Sequence, residues 1–181
     1  MRQDLVLDAA IRVLGTGGSR ALTHRAADTE AGLPLGSTSN LFRTREALLS
    51  GVLGQILKHE TQAWAALGAG LTPQNFAEVV GGFVTSLAGR RRDLTLARKA
   101  IFLEATFSPG LRHQIAEGQR RLAEWAAPLV AGLGSSRPEA DLRLILAFID
   151  GLLSAQLANP VRDFDPAAAL TVLMRGLFVQ N

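Results

Sequence analysis

Apolar residues recur along this chain at intervals of three and four, and no stretch alternates apolar and polar over the length of a strand. That spacing is the period of an amphipathic helix, so the pattern predicts an all-α fold. Leu7, Ala10, Ile11 and Leu14 share one face of a first helix, which Gly15, Gly17 and Gly18 are expected to stop. Thr23 is placed to cap a second helix, and Gly32 to end it. Further along, Thr72-Pro73, Ser108-Pro109 and Asp165-Pro166 each set a capping side chain before a proline, and Pro138-Glu139 is a weaker instance. Proline suits a first helical position because it has no N–H to leave orphaned. These signals predict helices near 2–16, 23–31, 35–42, 44–69, 73–89, 93–107, 109–133, 138–158 and 166–179. No repeat, low-complexity tract or long linker interrupts them.

The segment Leu22 to Leu49 carries the most specific order. Ala26, Ala27 and Ala31 are small enough for two helices to cross closely, and Gly32 suits a tight turn between them. The next helix is short, with polar Ser37, Ser39 and Asn40 between the apolar anchors Leu33 and Phe42. Arg25 stands near the start of one helix, and Arg43 and Arg45 near the start of another, where cationic groups can grip phosphates beside a groove.

Leu7-Asp8-Ala9-Ala10, Leu22-Thr23, Ala31-Gly32-Leu33, Phe42 and Thr44-Arg45-Glu46-Ala47-Leu48-Leu49 together resemble the N-terminal signature of the TetR family of transcriptional regulators. The resemblance covers about the first fifty-five residues. It implies an N-terminal three-helix helix-turn-helix domain, 1–47, followed by a helical-bundle domain for dimerisation and effector binding, 48–181. It further implies a homodimeric repressor released from a palindromic DNA operator by a small effector. Carried over by position, it puts Thr23, His24, Arg25, Leu35, Gly36, Ser37, Ser39, Asn40, Arg43 and Arg45 at the DNA. Arg25 is implied as a contact from the second helix, Leu35, Gly36, Ser37 and Ser39 as readers of bases, and Arg45 as a phosphate contact.

The departures fall in the reading helix. Ser39 and Leu41 replace a frequent Tyr and His, and Pro34 and Leu35 replace a Ser and a polar residue. Thr38 stands where the family tends to pack an apolar side chain inward. Hydroxyls, one amide and apolar atoms are left for base contacts: Asn40 suits adenine and Leu35 a thymine methyl.

The helix near 138–158 is apolar around most of its circumference, which predicts burial on more than one side. With the stripe of the last helix it suggests a four-helix dimer interface through Leu142, Ile145, Ile149, Leu152, Leu153, Leu170, Leu173, Met174 and Leu177. Such a dimer presents two reading helices about 34–36 Å apart. Trp64, Phe83, Arg98, Phe102, Glu104, Phe107, Trp125 and Phe148 are candidate walls of an effector pocket, with core packing as the plainer reading of each aromatic. A mostly apolar pocket would suit a lipophilic or aromatic molecule. Arg90, Arg91 and Arg92 suggest a solvated turn.

Composition narrows the alternatives. At 181 residues with 48% hydrophobic residues, the chain can bury a core and is not disordered. The formal charge is only +3; the isoelectric point near 10.5 follows from having no Cys and no Tyr to titrate below Lys and Arg. Charge alone therefore does not argue for nucleic acid. Absence of cysteine removes disulfides and thiol chemistry. No run of about 18 apolar residues and no signal-peptide layout is seen, which predicts a cytoplasmic, soluble protein that engages no membrane. His24, His59 and His113 lack metal-ligand spacing, Glu104 and Glu117 form no acid/base pair, and no serine lies in a nucleophile elbow. The chain is expected to be no enzyme and to need no cofactor or metal. The remaining alternative is a helical small-molecule sensor or carrier acting through protein partners.

Overall fold

The computed structural model describes residues 2–178, and the described residues are helical throughout, with turns and no strand. The elements are α1 (Arg2–Ala21), α2 (His24–Glu30), α3 (Ser37–Leu41), α4 (Arg45–Gly68), α5 (Phe76–Ala88), α6 (Arg92–Ala105), α7 (Pro109–Gly132), α8 (Pro138–Ala158) and α9 (Pro166–Phe178). The last residue of the predicted final helix, Val179, lies outside the described residues. The chain divides into two compact units, one of residues 1–62 and 91–119, the other of 63–90 and 120–181.

In the first unit α1 packs against α6 and α2. Its core joins Leu14 and Leu22 to Leu48, Val52, Leu53 and Ile56 of α4 and Ile101 of α6, all essentially without exposure. Full burial of each such side chain contributes about 1.5–3 kcal/mol. The expected glycine stop of α1 falls at Gly18, whose non-helical backbone (φ 70°, ψ −175°) ends the first helical segment; a short second segment continues to Ala21. Gly15 has a different reason to be glycine, since a Cβ there would lie 2.2 Å from the Asp93 carbonyl oxygen of α6.

The second unit packs α5 against α8 and α9 around Val80, Val84, Ile145 and Leu170. α7, α8 and α9 begin at their prolines, as the caps predict; the Asp165 carboxylate accepts the Ala168 N–H at 3.0 Å. α5 does not begin at Pro73. Asn75 turns back, its Oδ1 accepting the Thr72 N–H (2.8 Å) and its Nδ2 donating to the Gly70 carbonyl (2.8 Å), so helix starts only at Phe76. α8 is also simpler than expected. Leu142, Ile145, Ile149 and Leu153 are buried on one face, while Leu144, Ala147, Gly151 and Ala155 are exposed on the other.

Candidate functional site

The helix-turn-helix is built from the end of α2. Gly32 takes φ 65° at the turn, a left-handed conformation that favours glycine. α3 is only five residues long, and its N-cap, Gly36 (φ 92°), offers no side chain to satisfy the first N–H groups. Asp28 of α2 supplies the missing acceptor. Its Oδ2 accepts the Gly36 N–H (2.8 Å), and its Oδ1 accepts both the Thr38 N–H (2.7 Å) and the Thr38 hydroxyl (2.5 Å). Asp28 is 1% exposed. Burial pushes its carboxyl upward, but the Thr38 hydroxyl, the Thr38 and Gly36 N–H groups and the charge of His24 outweigh it, holding it below the ordinary range. At the other end of α3, the His24 ring donates from Nε2 to the Phe42 carbonyl at 2.7 Å. Phe42 is itself buried, and α4 passes so near that a Cβ on Gly51 would lie 2.6 Å from its ring.

This frame leaves a defined outer surface. Leu35, 66% exposed, Ser39 and Asn40 face solvent along α3, with Arg25 on α2 and Arg43 just after α3 also exposed. Arg25 and Arg43 make no hydrogen bond or ion pair with the described residues. Other predicted contacts already have hydrogen-bond partners within the chain. Ser37 is buried, donates to the Pro34 carbonyl (2.7 Å) and accepts from Arg2 (3.0 Å), so it does not reach the reading surface. The Thr23 hydroxyl caps α2 through the Ala26 N–H, and Gly36 gives its N–H to Asp28. Arg45, itself exposed, is also tied to its own chain. Its guanidinium donates to the Leu22 carbonyl, the Ser19 carbonyl (2.7 Å) and the Ser19 hydroxyl (2.9 Å), fastening α4 to the α1–α2 turn.

The second unit holds a cavity of about 190 Å³, walled by α4, α5, α7 and α8 and their flanking turns. Trp64, Phe76, Leu122, Trp125, Leu129 and Ile145 are among its walls, and no charged side chain lines it. Trp64 meets Phe83 edge to face at 5.2 Å between ring centres. Pro128, inside α7, also lines it.

The family model of the tetracyclin repressor-like C-terminal domain matches residues 71–180. That is more than half of the chain. The chain belongs to the TetR family. Among solved structures it is similar to the multidrug binding protein EbrR complexed with ethidium (29% identity, 97% of each chain covered, TM-score 0.74). EbrR complexed with imidazole is similar at 30% identity (97% of this chain, 89% of that one, TM-score 0.70). A TetR-family member from Streptomyces coelicolor A3 is 28% identical over 98% of both chains, TM-score 0.74. No curated protein matches.

This TetR-family chain therefore has a transcriptional-regulator fold and not that of an enzyme. Among its described residues no His, Asp and Glu group could hold a metal ion, and no helix is long and apolar enough to cross a membrane. Of the candidate pocket residues, Trp64 and Trp125 line the cavity, Phe83 backs Trp64, and Phe148 packs on the core beside it. The other four are corrected, for they belong to the first unit. Arg98 pairs with Glu60 (2.7 Å) and lies 4.0 Å over the Phe102 ring, Glu104 accepts from Ser19, and Phe107 is 85% exposed. The nine residues predicted for a dimer interface divide by burial. Leu142, Ile145, Ile149, Leu153 and Leu170 are buried within a single chain, and Leu152, Leu173, Met174 and Leu177 are half-buried. The five buried residues belong to the core of the second unit.

From α7, sequence reasoning pointed only to Trp125 and missed its neighbours Leu122, Ala126, Leu129 and Val130, although they follow a helical stripe with it. It also missed Asp28, whose signal was an inward-facing Thr38 needing a polar partner.

Proposed function

We propose that this TetR-family chain is a homodimeric repressor acting in the cytoplasm, bound to a palindromic operator through residues 1–47 and released by a small, largely apolar effector held within 48–181. The observation that carries this reading is the set of Arg25, Asn40 and Arg43, exposed and with side chains unpaired among the described residues, beside a short helix fixed from behind. Arg25 and Arg43 grip phosphates, and Leu35, Ser39 and Asn40 read base edges. Arg45, Ser37 and the Thr23 hydroxyl shape the head instead. The dimer forms through the exposed stripe of α8 and α9, where Ala147, Gly151, Ala168, Val172 and Gly176 allow close helix approach.

The cavity supports the effector half of the proposal. Its volume lies below the ~300–1,000 Å³ of ordinary ligand pockets. It accepts a small ring system as it stands and a larger one by moving its walls. EbrR was solved with ethidium, a planar aromatic, and Trp64 and Trp125 offer this chain similar stacking surfaces.

The test is selection from random duplex DNA with the full chain, followed by ethidium titration of the complex. Enrichment of a palindrome is expected, with quenching of the two tryptophans by ethidium and a release of the palindrome that is lost in Ala126→Phe, the control for intercalation of ethidium into the duplex itself. Tryptophan quenching without any enriched sequence would favour a sensor that acts through protein partners. Ala126→Phe, which fills the cavity, should abolish the quenching and leave DNA binding intact.

A further inference from the structure

We propose that α2 grips α3 at both ends, and that His24 and Asp28 are positioning residues for sequence discrimination rather than DNA contacts. This rests on the reading of the head as a DNA-binding module.

A five-residue helix is far below the length of about 12–15 residues at which isolated helices become even marginally stable. α3 has no cap of its own at Gly36. Its first donors reach the Asp28 carboxylate, and the carbonyl at its far end, on Phe42, receives the His24 Nε2–H. His24 and Asp28 are four residues apart and therefore share a face of α2. Their spacing, about 6 Å along the axis, nearly matches the roughly 7.5 Å of α3. The late residue of α2 holds the start of α3, and the early residue holds its end.

The grips are polar and directional, whereas apolar packing at residue 38 would tolerate sliding. Thr38 is fully buried, and its hydroxyl has its partner in Asp28. A shift of α3 along α2 separates both grips and leaves buried groups without partners. Leu35, Ser39 and Asn40 are short, so they reach base edges only while α3 holds its place. Arg25 and Arg43 lie outside α3 and grip phosphates whether or not it shifts. Loss of a grip should therefore lower discrimination between sequences while sparing sequence-independent binding.

The experiment uses the full chain, its selected operator and a scrambled duplex. His24→Phe keeps the ring volume but removes the donor, while His24→Gln can place an amide donor near the Nε2 position. Thr38→Val and Thr38→Ser make the matching pair for the hydroxyl. His24→Phe and Thr38→Val should cut the operator-to-scrambled affinity ratio about tenfold, the size of one lost base readout. Binding to the scrambled duplex should be unchanged, and His24→Gln and Thr38→Ser should restore most of the ratio. An unchanged ratio, an equal fall on both duplexes, or failure of the restoring variants overturns the proposal. Amide exchange at Gly36 and Thr38 reports the grip without DNA. Faster exchange in Asp28→Asn supports it and unchanged exchange overturns it, even if the wild type selects no operator and the DNA reading itself fails.

Discussion

Arg25 and Arg45 are alike in the sequence, both cations near a helix start, and they differ in what surrounds them. Arg25 has no partner among the described residues, whereas Arg45 spans to Ser19 and Leu22. Arg25→Ala should weaken binding to the operator and to unrelated duplexes about equally, as loss of a phosphate contact does, and leave the dimer intact; unchanged anisotropy titrations would remove it from the interface. Arg45→Ala should instead lower unfolding stability by about 1–3 kcal/mol, because the buried Leu22 backbone loses its donor. Chemical denaturation measures this directly. Asp28 carries a pH signature. Its folded-state pKa is depressed, so its contribution is present above the unfolded value of about 3.9 and is lost as pH falls through the lower folded value. The stability gap between wild type and Asp28→Asn should therefore narrow below about pH 4. A gap constant from pH 7 to 3 would contradict the depressed carboxyl.

At the scale of elements, α8 separates two jobs that its composition blends. Its apolar residues occupy one buried face, and small residues dominate the exposed one. Ala147→Arg or Gly151→Arg should yield monomers in sedimentation while helical content is retained, since neither side chain enters the core. Ile149→Ala should unfold the unit by about 2–5 kcal/mol through loss of a cavity wall and core contact. A dimer that survives both arginine variants would move the interface elsewhere. The late start of α5 has a similar local cause. Thr72-Pro73 was a sound cap signal, but Asn75 bonds back to Thr72 and Gly70 and consumes the first turn.

At the scale of the whole molecule, a repressor released by an effector requires the two bindings to oppose each other. Linkage makes that opposition reciprocal. If an effector that does not itself bind DNA weakens operator affinity by some factor, saturating operator must weaken its binding by the same factor. Tryptophan quenching measured with and without operator tests this, because both tryptophans line the cavity. Equal effector affinities alongside a lowered operator affinity would rule out coupling through one dimer. Phosphate contacts also release counterions, so operator affinity should fall steeply with salt, and less steeply in Arg25→Ala.

Periodicity, caps and the N-terminal signature determined by themselves that this chain is all-helical, where most of its helices begin, and that it belongs with the TetR family. These are local properties, set by residues within a few positions of one another. Tertiary structure decided which polar groups remain available. Ser37, His24 and Arg45 looked like DNA contacts until their partners, Arg2, Phe42, Ser19 and Leu22, were brought beside them. It likewise decided which apolar faces are used up within one chain, because Leu142 and Ile145 look the same in sequence whether they meet their own core or a second copy. Hydrophobicity sets how much surface must be buried, but only the packed chain determines against what.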